Sequence, residues 1–399
     1  MTVRSPHLVR LSLLVTLVAC GAGKGASSTA TIDTLPGGIV RVANHTPSEW
    51  ADTNGWKLVL ERTIAPADST TGQLNQPGGI VVDSRGRIYV LDRKPTLIKV
   101  YASDGTFTGT IGREGSGPGE FCQWGILTIS RDTLFHHDPG QSRTQSFTTD
   151  GAFVHAWTSL CCWQMPAAAD DSGRTPVPGL LRPDTTSKSF LAGAGYIRYH
   201  ADGRIADTIV IPPQPATKSW QVREKDNRMT MSVPLMPGMQ STFDRAGHYV
   251  WGHQGRYQIV ISHNGLDTLR IFSSVAGTFP IPDSIRRDEF DQGIKSNPIL
   301  KSVARFDDIP RNYPAWTSIV SDGSGNFWVI RPGPKSDGDI FDVFTSDGVL
   351  LGAVPAPFHD IYRTFWTRDR VYSIEEDDAT GVQSIKIYRI ERPPRPELH

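Results

Sequence analysis

Two adjacent histidines, His136 and His137, and an acidic run, Glu375-Glu376-Asp377-Asp378, are the residue types here that could bind a metal or move a proton. Their arrangement argues against either task. Neighbouring side chains on an extended segment point to opposite faces, so the two imidazoles cannot chelate one ion together. The acidic run has the composition of a calcium loop, but a solvated loop tip uses the same residues. Calcium is the marginal candidate ion; no cofactor and no metal site are expected. Gly115-Ser116-Gly117-Pro118-Gly119 is rich enough in glycine to cradle a phosphate, yet it lacks the flanking strand and helix of a phosphate loop. It reads as a connector. No H-E-x-x-H, G-x-S-x-G or C-x-x-C occurs, so no catalytic residue is assigned.

What positions these side chains is a repeated strand–turn–strand unit. The clearest copy runs Gly79-Ile80-Val81-Val82-Asp83, turns at Ser84-Arg85-Gly86, and returns as Arg87-Ile88-Tyr89-Val90-Leu91-Asp92. Leu97 to Tyr101, the turn Ser103-Asp104-Gly105 and Thr106 to Gly112 complete it. Short β-branched and aromatic runs between Asp/Gly turns form one antiparallel sheet, and recurrence of such sheets predicts a propeller. Further copies begin at Gly125, Gln164, Gln240, Trp316 and Asp360. The third is degenerate, and the last has three strands of its own. Lys57 to Ile64 supplies its fourth, which would close the ring and remove exposed edges. The fold class is therefore all-β: a six-bladed β-propeller of four-stranded antiparallel blades, closed by an N-terminal strand. Extra strands from Ile39 to Trp50 would make it seven-bladed. Asp283 to Phe306 lacks alternation and reads as one or two short helices over one face, with Asp283-Ser284 as a cap and Pro298 as an interruption.

In such a ring the loops between blades and the ends of the second strands meet on one rim, while the Asp-Gly turns point to the opposite face. The candidate ligand-binding rim gathers Arg93, Arg113, His137, Trp163, His253, Arg331, Trp316 and Glu375. Asp92 and Asp138 hold equivalent repeat positions and are expected to bond strand-end amides. Trp163, Trp316 and Trp328 are expected to pack between blades, with one of them available to stack on a ligand ring.

The chain of 399 residues carries 41 basic and 41 acidic side chains. Removing residues 1–19 takes away Arg4 and Arg10 and leaves 39 against 41. That balance provides no long-range attraction to nucleic acid or anionic lipid. A basic opening (Arg4, His7, Arg10) precedes the apolar stretch Leu11 to Val18, which is too short to span a bilayer and reads as an export signal. It ends in Leu17-Val18-Ala19-Cys20-Gly21, which resembles the bacterial lipoprotein signal; the resemblance implies lipidation at Cys20 and, from Gly21, onward transfer to the outer membrane. Export permits a disulfide. Cys122 and the pair Cys161-Cys162 precede the first strands of neighbouring blades, so a bridge from Cys122 to either is geometrically reasonable, with free thiols the alternative.

Pro77-Gly78-Gly79-Ile80-Val81-Val82-Asp83, Gly86-x-Ile88-Tyr89-Val90-x-Asp92, Ile98-x-Val100-Tyr101-x-x-Asp104-Gly105 and Gly117-Pro118-Gly119-Glu120-Phe121 make the chain similar to the six-bladed β-propeller lipoproteins of bacteria, related to the NHL-repeat family. The resemblance implies a ring fold and a binding or scaffolding role, without fixing one activity. The expected organisation is a signal peptide over 1–19, a flexible tether over 20–35, and one propeller over 36–392 with a helical insertion near 283–306. The expected function is an envelope-tethered module for a protein, peptide or small-molecule ligand. It would touch the membrane only through its lipid and would bind no nucleic acid. A metal-dependent hydrolase or lyase of the lactonase type and a purely structural envelope component are the alternatives.

Overall fold

The computed structural model describes residues 30–45, 55–64, 72–122, 125–159, 168–181, 193–224, 227–332, 338–358 and 360–392. Strands group into six blades around a central channel. Blade 1 comprises Pro77–Val82, Ile88–Arg93, Thr96–Tyr101 and Phe107–Ile111. Blade 2 comprises Ile126–Ser130, Thr133–Asp138, Arg143–Thr148 and Phe153–Thr158. Blade 3 has Thr175–Leu180, Ala194–Tyr199 and Ile205–Val210. Blade 4 has Met239–Phe243, Tyr249–His253, Gln258–Ser262 and Arg270–Ser273. Blade 5 has Ser318–Ser321, Phe327–Pro332, Asp339–Phe344 and Leu350–Pro355. Blade 6 joins Thr364–Trp366, Arg370–Glu376 and Gln383–Glu391 to Lys57–Ile64. Within every blade, sequence neighbours pair antiparallel.

Closure follows the expected route. Lys57–Ile64 lies antiparallel to Gln383–Glu391, with Glu391 opposite Lys57 and Ile385 opposite Ile64. A blade is one sheet thick and has no interior, so the core forms in the seams between blades. Ile80, Ile88 and Val90 of blade 1 pack on Tyr372, Ile374 and Ile387 of blade 6. Phe272 and Ile259 of blade 4 pack on Phe327 and Phe344 of blade 5, around Trp316. The seam between blades 2 and 3 is more polar: the Thr128 and Thr175 hydroxyls meet at 3.0 Å, and Ser146 donates to the Ala201 carbonyl at 2.9 Å.

One turn recurs at the first hairpin of four blades, and its chemistry explains the Asp-x-x-Gly spacing. In blade 1 the Asp83 carboxylate accepts from the Arg85 and Arg87 amides, from Arg87 Nε at 2.7 Å, and from the Tyr89 hydroxyl at 3.0 Å. Asp170, Asp244 and Asp322 do the same for Arg174, His248 and Asn326 in blades 3, 4 and 5. Gly86 closes the turn at φ +80°, a conformation that carries no penalty only for glycine.

Four differences from the expected organisation stand out. The tether assigned to 20–35 gives way at Ala30: Ala30–Leu35 and Ile39–Asn44 form a hairpin, and the second strand pairs parallel to Arg270–Ser273. That hairpin extends blade 4 to six strands and is not a seventh blade. It is pinned by buried Asn44, whose amide donates to the carbonyls of Ser273 and Gly348 and accepts from the Leu350 amide, joining blades 4 and 5. The proline-bearing polar stretch 212–237 ahead of blade 4, to which no element was assigned, contains the hairpin Ser219–Glu224 and Asn227–Ser232. The insertion after blade 4 holds the helix Asp283–Ser296, but Pro282 occupies its N-cap, and Asp283 lies in the first turn bonded to Arg286. Trp220, Val222 and Val233 from the hairpin segment pack with Leu300, Ile309 and Phe290, making a small second core. Finally, no strand forms over the described part of 164–169, where Ala168 and Ala169 border the channel.

Candidate functional site

The channel encloses a cavity of about 650 Å³, lined by innermost-strand residues of blades 1, 2, 4, 5 and 6 together with Ala168 and Ala169. Its mouth lies on the face where the inter-blade connections enter the innermost strands. There it is bordered by Pro77, Gly78, Ile126, Gln240, Ser318, Tyr362 and Arg363, with Arg93 reaching in from the end of a second strand. Gly78 makes room for that reach: a Cβ built there would stand 2.9 Å from Arg93 Nε. Arg363 comes from a short turn, Ile361–Arg363, whose first residue is preceded by Asp360; the Asp360 carboxylate accepts from the Tyr362 amide at 2.9 Å. This turn directs Arg363 Nη2 onto the Pro77 carbonyl at 2.7 Å. Tyr362 is 56% exposed, and its hydroxyl meets Gln240 Oε1 at 3.1 Å, spanning from blade 6 to blade 4. Burial, and then the neighbouring Arg363, push the Arg93 guanidinium below its ordinary range.

Of the rim residues proposed from sequence, Arg93 lies in this mouth and the others described do not join it. Trp316 is fully buried in the blade 4–5 seam, its indole donating to the Arg256 carbonyl at 2.9 Å. Connections that re-enter the ring carry their apolar residues into the seams, which is why this tryptophan packs rather than stacks on solvent. Arg331 bonds Asp342 at 2.9 Å, and Asp342 also accepts from Tyr257 at 2.7 Å, so the arginine is consumed by a buried inter-blade network. Burial raises the Asp342 carboxyl although Arg331 opposes it, and raises the Tyr257 phenol well above its usual range. His137 is buried, with Nδ1 3.1 Å from Thr144 Oγ1 and 3.0 Å from Ser159 Oγ. His253 accepts from the Gly255 amide at 3.1 Å inside a tight turn. Glu375 lies on the blade 6 sheet, held by Lys386 and Tyr388 at 2.8 Å each. Arg113 is an exposed partner of Glu120 at 2.7 Å. Trp163, Cys161, Cys162 and Cys20 lie outside the described residues; Cys122 is exposed.

The Gly115–Gly119 connector folds back on itself. Arg113–Glu114 pairs with Glu120–Phe121, and Arg143 donates to the carbonyls of Ser116, Gly117 and Glu120. Asp92 accepts from the Asn75, Gln76 and Arg93 amides and pairs with buried Lys99 at 2.7 Å, while Asp138 accepts from Cys122 and Gly140. Both carboxylates therefore anchor the loops beneath the mouth. The acidic run resolves into a strand end and a turn, with Asp377 accepting from Ala379 and Thr380. Among the described residues no group of three or more His, Cys, Asp or Glu is placed to hold a metal ion.

Arg363, Tyr362 and Gln240 were not among the sequence candidates. The only signal for Arg363 and Tyr362 is the Asp-x-x-Arg spacing ahead of the last blade's first strand, where Asp360 caps a turn. Ile126, Phe365 and the serines of blades 4 and 5 also line the cavity.

A family profile described as a 6-bladed beta-propeller (DUF5128) matches residues 73–154, which span blade 1 and most of blade 2. No curated protein matches the chain. Among solved structures it is similar to a protein described as exported from Bacteroides fragilis NCTC 9343, at 12% identity and TM-score 0.50, covering 88% of this chain and 100% of that one. A member of the DUF4221 family from Bacteroides vulgatus ATCC 8482 gives 12% identity and TM-score 0.51, covering 86% of this chain and 100% of that one. Virginiamycin B lyase from Staphylococcus aureus gives 12% identity and TM-score 0.42 over 84% of this chain and 100% of that one. Identities this low speak to fold alone. The family profile and the strand order observed make this chain an all-β, six-bladed propeller.

Proposed function

We propose that the protein is an exported, lipid-anchored binding module that takes its ligand in the channel mouth between blades 1, 4 and 6. The observation that carries this reading is the cavity of about 650 Å³ with Arg93, Arg363, Tyr362 and Gln240 converging on its rim. A preformed concavity of this size, apolar in its depth and polar at its edge, is the usual form of a small-molecule site. The metal-dependent hydrolase alternative has less support, because the described residues bring no three metal-binding side chains together. A purely structural envelope role leaves the open, polar mouth without a purpose. The lipoprotein-type signal ending at Cys20 and the NHL-like spacing of blade 1 support attachment at the envelope and a recognition role.

Two measurements test this reading. Mass spectrometry of the mature amino terminus should find Cys20 acylated, and Cys20→Ser should release the protein from membranes; an unmodified, soluble wild type overturns the anchor. Protein purified from its native membrane should carry a ligand that Tyr362→Ala together with Gln240→Ala loses. A ligand retained by that double variant places recognition elsewhere.

A further inference from the structure

The turn face carries a separate arrangement of titratable groups, built into two hairpins of blade 4. Tyr249 and Ser262 pair across its second and third strands, and His248 and His263 are the next residues beyond that rung. Cross-strand partners project from the same face of a sheet, so the two imidazoles stand side by side. Their ring centres lie 5.4 Å apart, with the planes inclined at 68°. Each ring is held by a carboxylate of its own turn. His248 Nδ1 lies 2.8 Å from Asp244, which also accepts from the His248 amide. His263 Nδ1 lies 2.5 Å from Asp267, which also accepts from the His263 amide and the Ser262 hydroxyl. A carboxylate at Nδ1 calls for a proton there, which leaves the lone pair of the neutral ring on Nε2. Among the described residues neither Nε2 has a hydrogen-bond partner. The two carboxylates are thus engaged, whereas the imidazoles they orient each keep an open nitrogen.

We propose that His248 and His263 form a two-histidine site for a divalent transition metal, with zinc as the ion and solvent filling its remaining positions. A carboxylate behind each ring is the outer shell by which metal-binding histidines fix tautomer and orientation. Zn–N bonds of about 2.0–2.1 Å to two imidazoles in a tetrahedral shell set the ring centres about 5 Å apart, close to the observed spacing. Imidazole nitrogen suits zinc, copper and nickel, whereas calcium and magnesium take oxygen. Two protein ligands fall short of the three or four of a resident site, so the ion exchanges readily and keeps positions open to a donor from another molecule. Solvent reaches the pair, because the His263 side chain is 59% exposed. A proton competes for His248: its bond to Asp244 raises that imidazole above the ordinary range against burial and Arg198, with Asp267 adding to the rise. The site lies on the opposite face from the channel mouth and does not depend on the binding reading above.

The test uses the purified full-length protein, stripped of metal with a chelator and titrated with zinc chloride, with calcium chloride as the oxygen-seeking control. Zinc should bind and raise the melting temperature, and calcium should not compete with it. His263→Gln changes a side chain more than half exposed. It should leave the melting temperature of the metal-free protein unchanged and weaken zinc binding about tenfold or more, and His248→Gln should weaken it likewise. Zinc affinity should rise between about pH 5.5 and about pH 7.5 as competing protons leave the rings. Anomalous scattering from zinc-soaked crystals should place the ion between the two Nε2 atoms. Wild-type zinc affinity in both histidine variants overturns the inference, as does a wild type that binds no zinc. Soaked crystals with no zinc at the pair, or calcium displacing zinc at equal concentration, overturn it as well.

Discussion

The two faces of the ring are built on opposite rules. On the turn face, the carboxylates that close the first hairpins of blades 1, 3, 4 and 5 are held by several donors each. Asp322, fully buried, accepts from the Ser324 and Asn326 amides, the Asn326 side chain and the Trp328 indole. At the mouth, Arg363 spends one donor on a backbone carbonyl, and Tyr362 stands exposed above the cavity. Saturated polar groups stabilise a fold, whereas polar groups left open in a concavity are what a ligand can recognise. The difference teaches where this scaffold keeps its shape and where it keeps capacity to bind.

Substitutions on the two faces should therefore separate stability from binding. The largest effect is expected for Asp322→Ala, which orphans buried donors including the Trp328 indole N–H; urea unfolding should show a loss of about 4 kcal/mol. If it costs as little as a surface change, the turn face is not the structural one. Next comes acid sensitivity from His136, a fully buried ring packed 4.2 Å from Phe121. Burial, then the neighbouring His137 and Arg143, hold its pKa near 3 against an ordinary 6.5. The unfolded chain takes up this proton and the folded chain does not, so its contribution is complete above pH 6.5 and is lost as pH falls toward 3. Unfolding measured across that window should lose up to about 1.4 kcal/mol per pH unit from this group, a slope that His136→Phe removes. Asn44→Ala, which frees two carbonyls and an amide between blades 4 and 5, should cost about 2 kcal/mol by the same denaturant assay. The smallest stability effect belongs to the mouth. Arg363→Gln should move unfolding by about 0.5 kcal/mol or less, with relief of repulsion at Arg93 offsetting one lost hydrogen bond. A large destabilisation there would erase the contrast between the faces.

The architecture was legible because its signals are local and repeated. Asp83-x-x-Gly86 and Asp322-x-x-Gly325 are turns that only certain residues can make, and turns of this kind mark the first hairpin of four blades regardless of what surrounds it. Ring closure by Lys57–Ile64 was readable from a missing strand at the other end of the chain. The site was far less legible. Arg93 could be placed because it ends a second strand, a position the repeat defines. Arg331 lies one residue before the end of the equivalent strand of blade 5, and its side chain turns to Asp342, a buried carboxylate on the adjacent strand that outcompetes solvent for it. Arg363 and Tyr362 sit in a non-repeated turn that appears once, so periodicity says nothing about them. The extra hairpin Ala30–Leu35 and Ile39–Asn44 was hidden for another reason: the stretch rich in small residues that precedes it resembles a spacer, and its pairing partner, Arg270–Ser273, is far away in sequence.

That hairpin changes how tension would pass through the molecule. A pull applied ahead of Ala30 meets a strand whose hydrogen bonds run to Ile39–Asn44, and through it the parallel ladder to blade 4 and the Asn44 clasp on blade 5. Only after those rupture does the load arrive at Lys57–Ile64, the strand that keeps the circle shut. The seam that could unzip the whole assembly is thus mechanically shielded from the end by which it would be held.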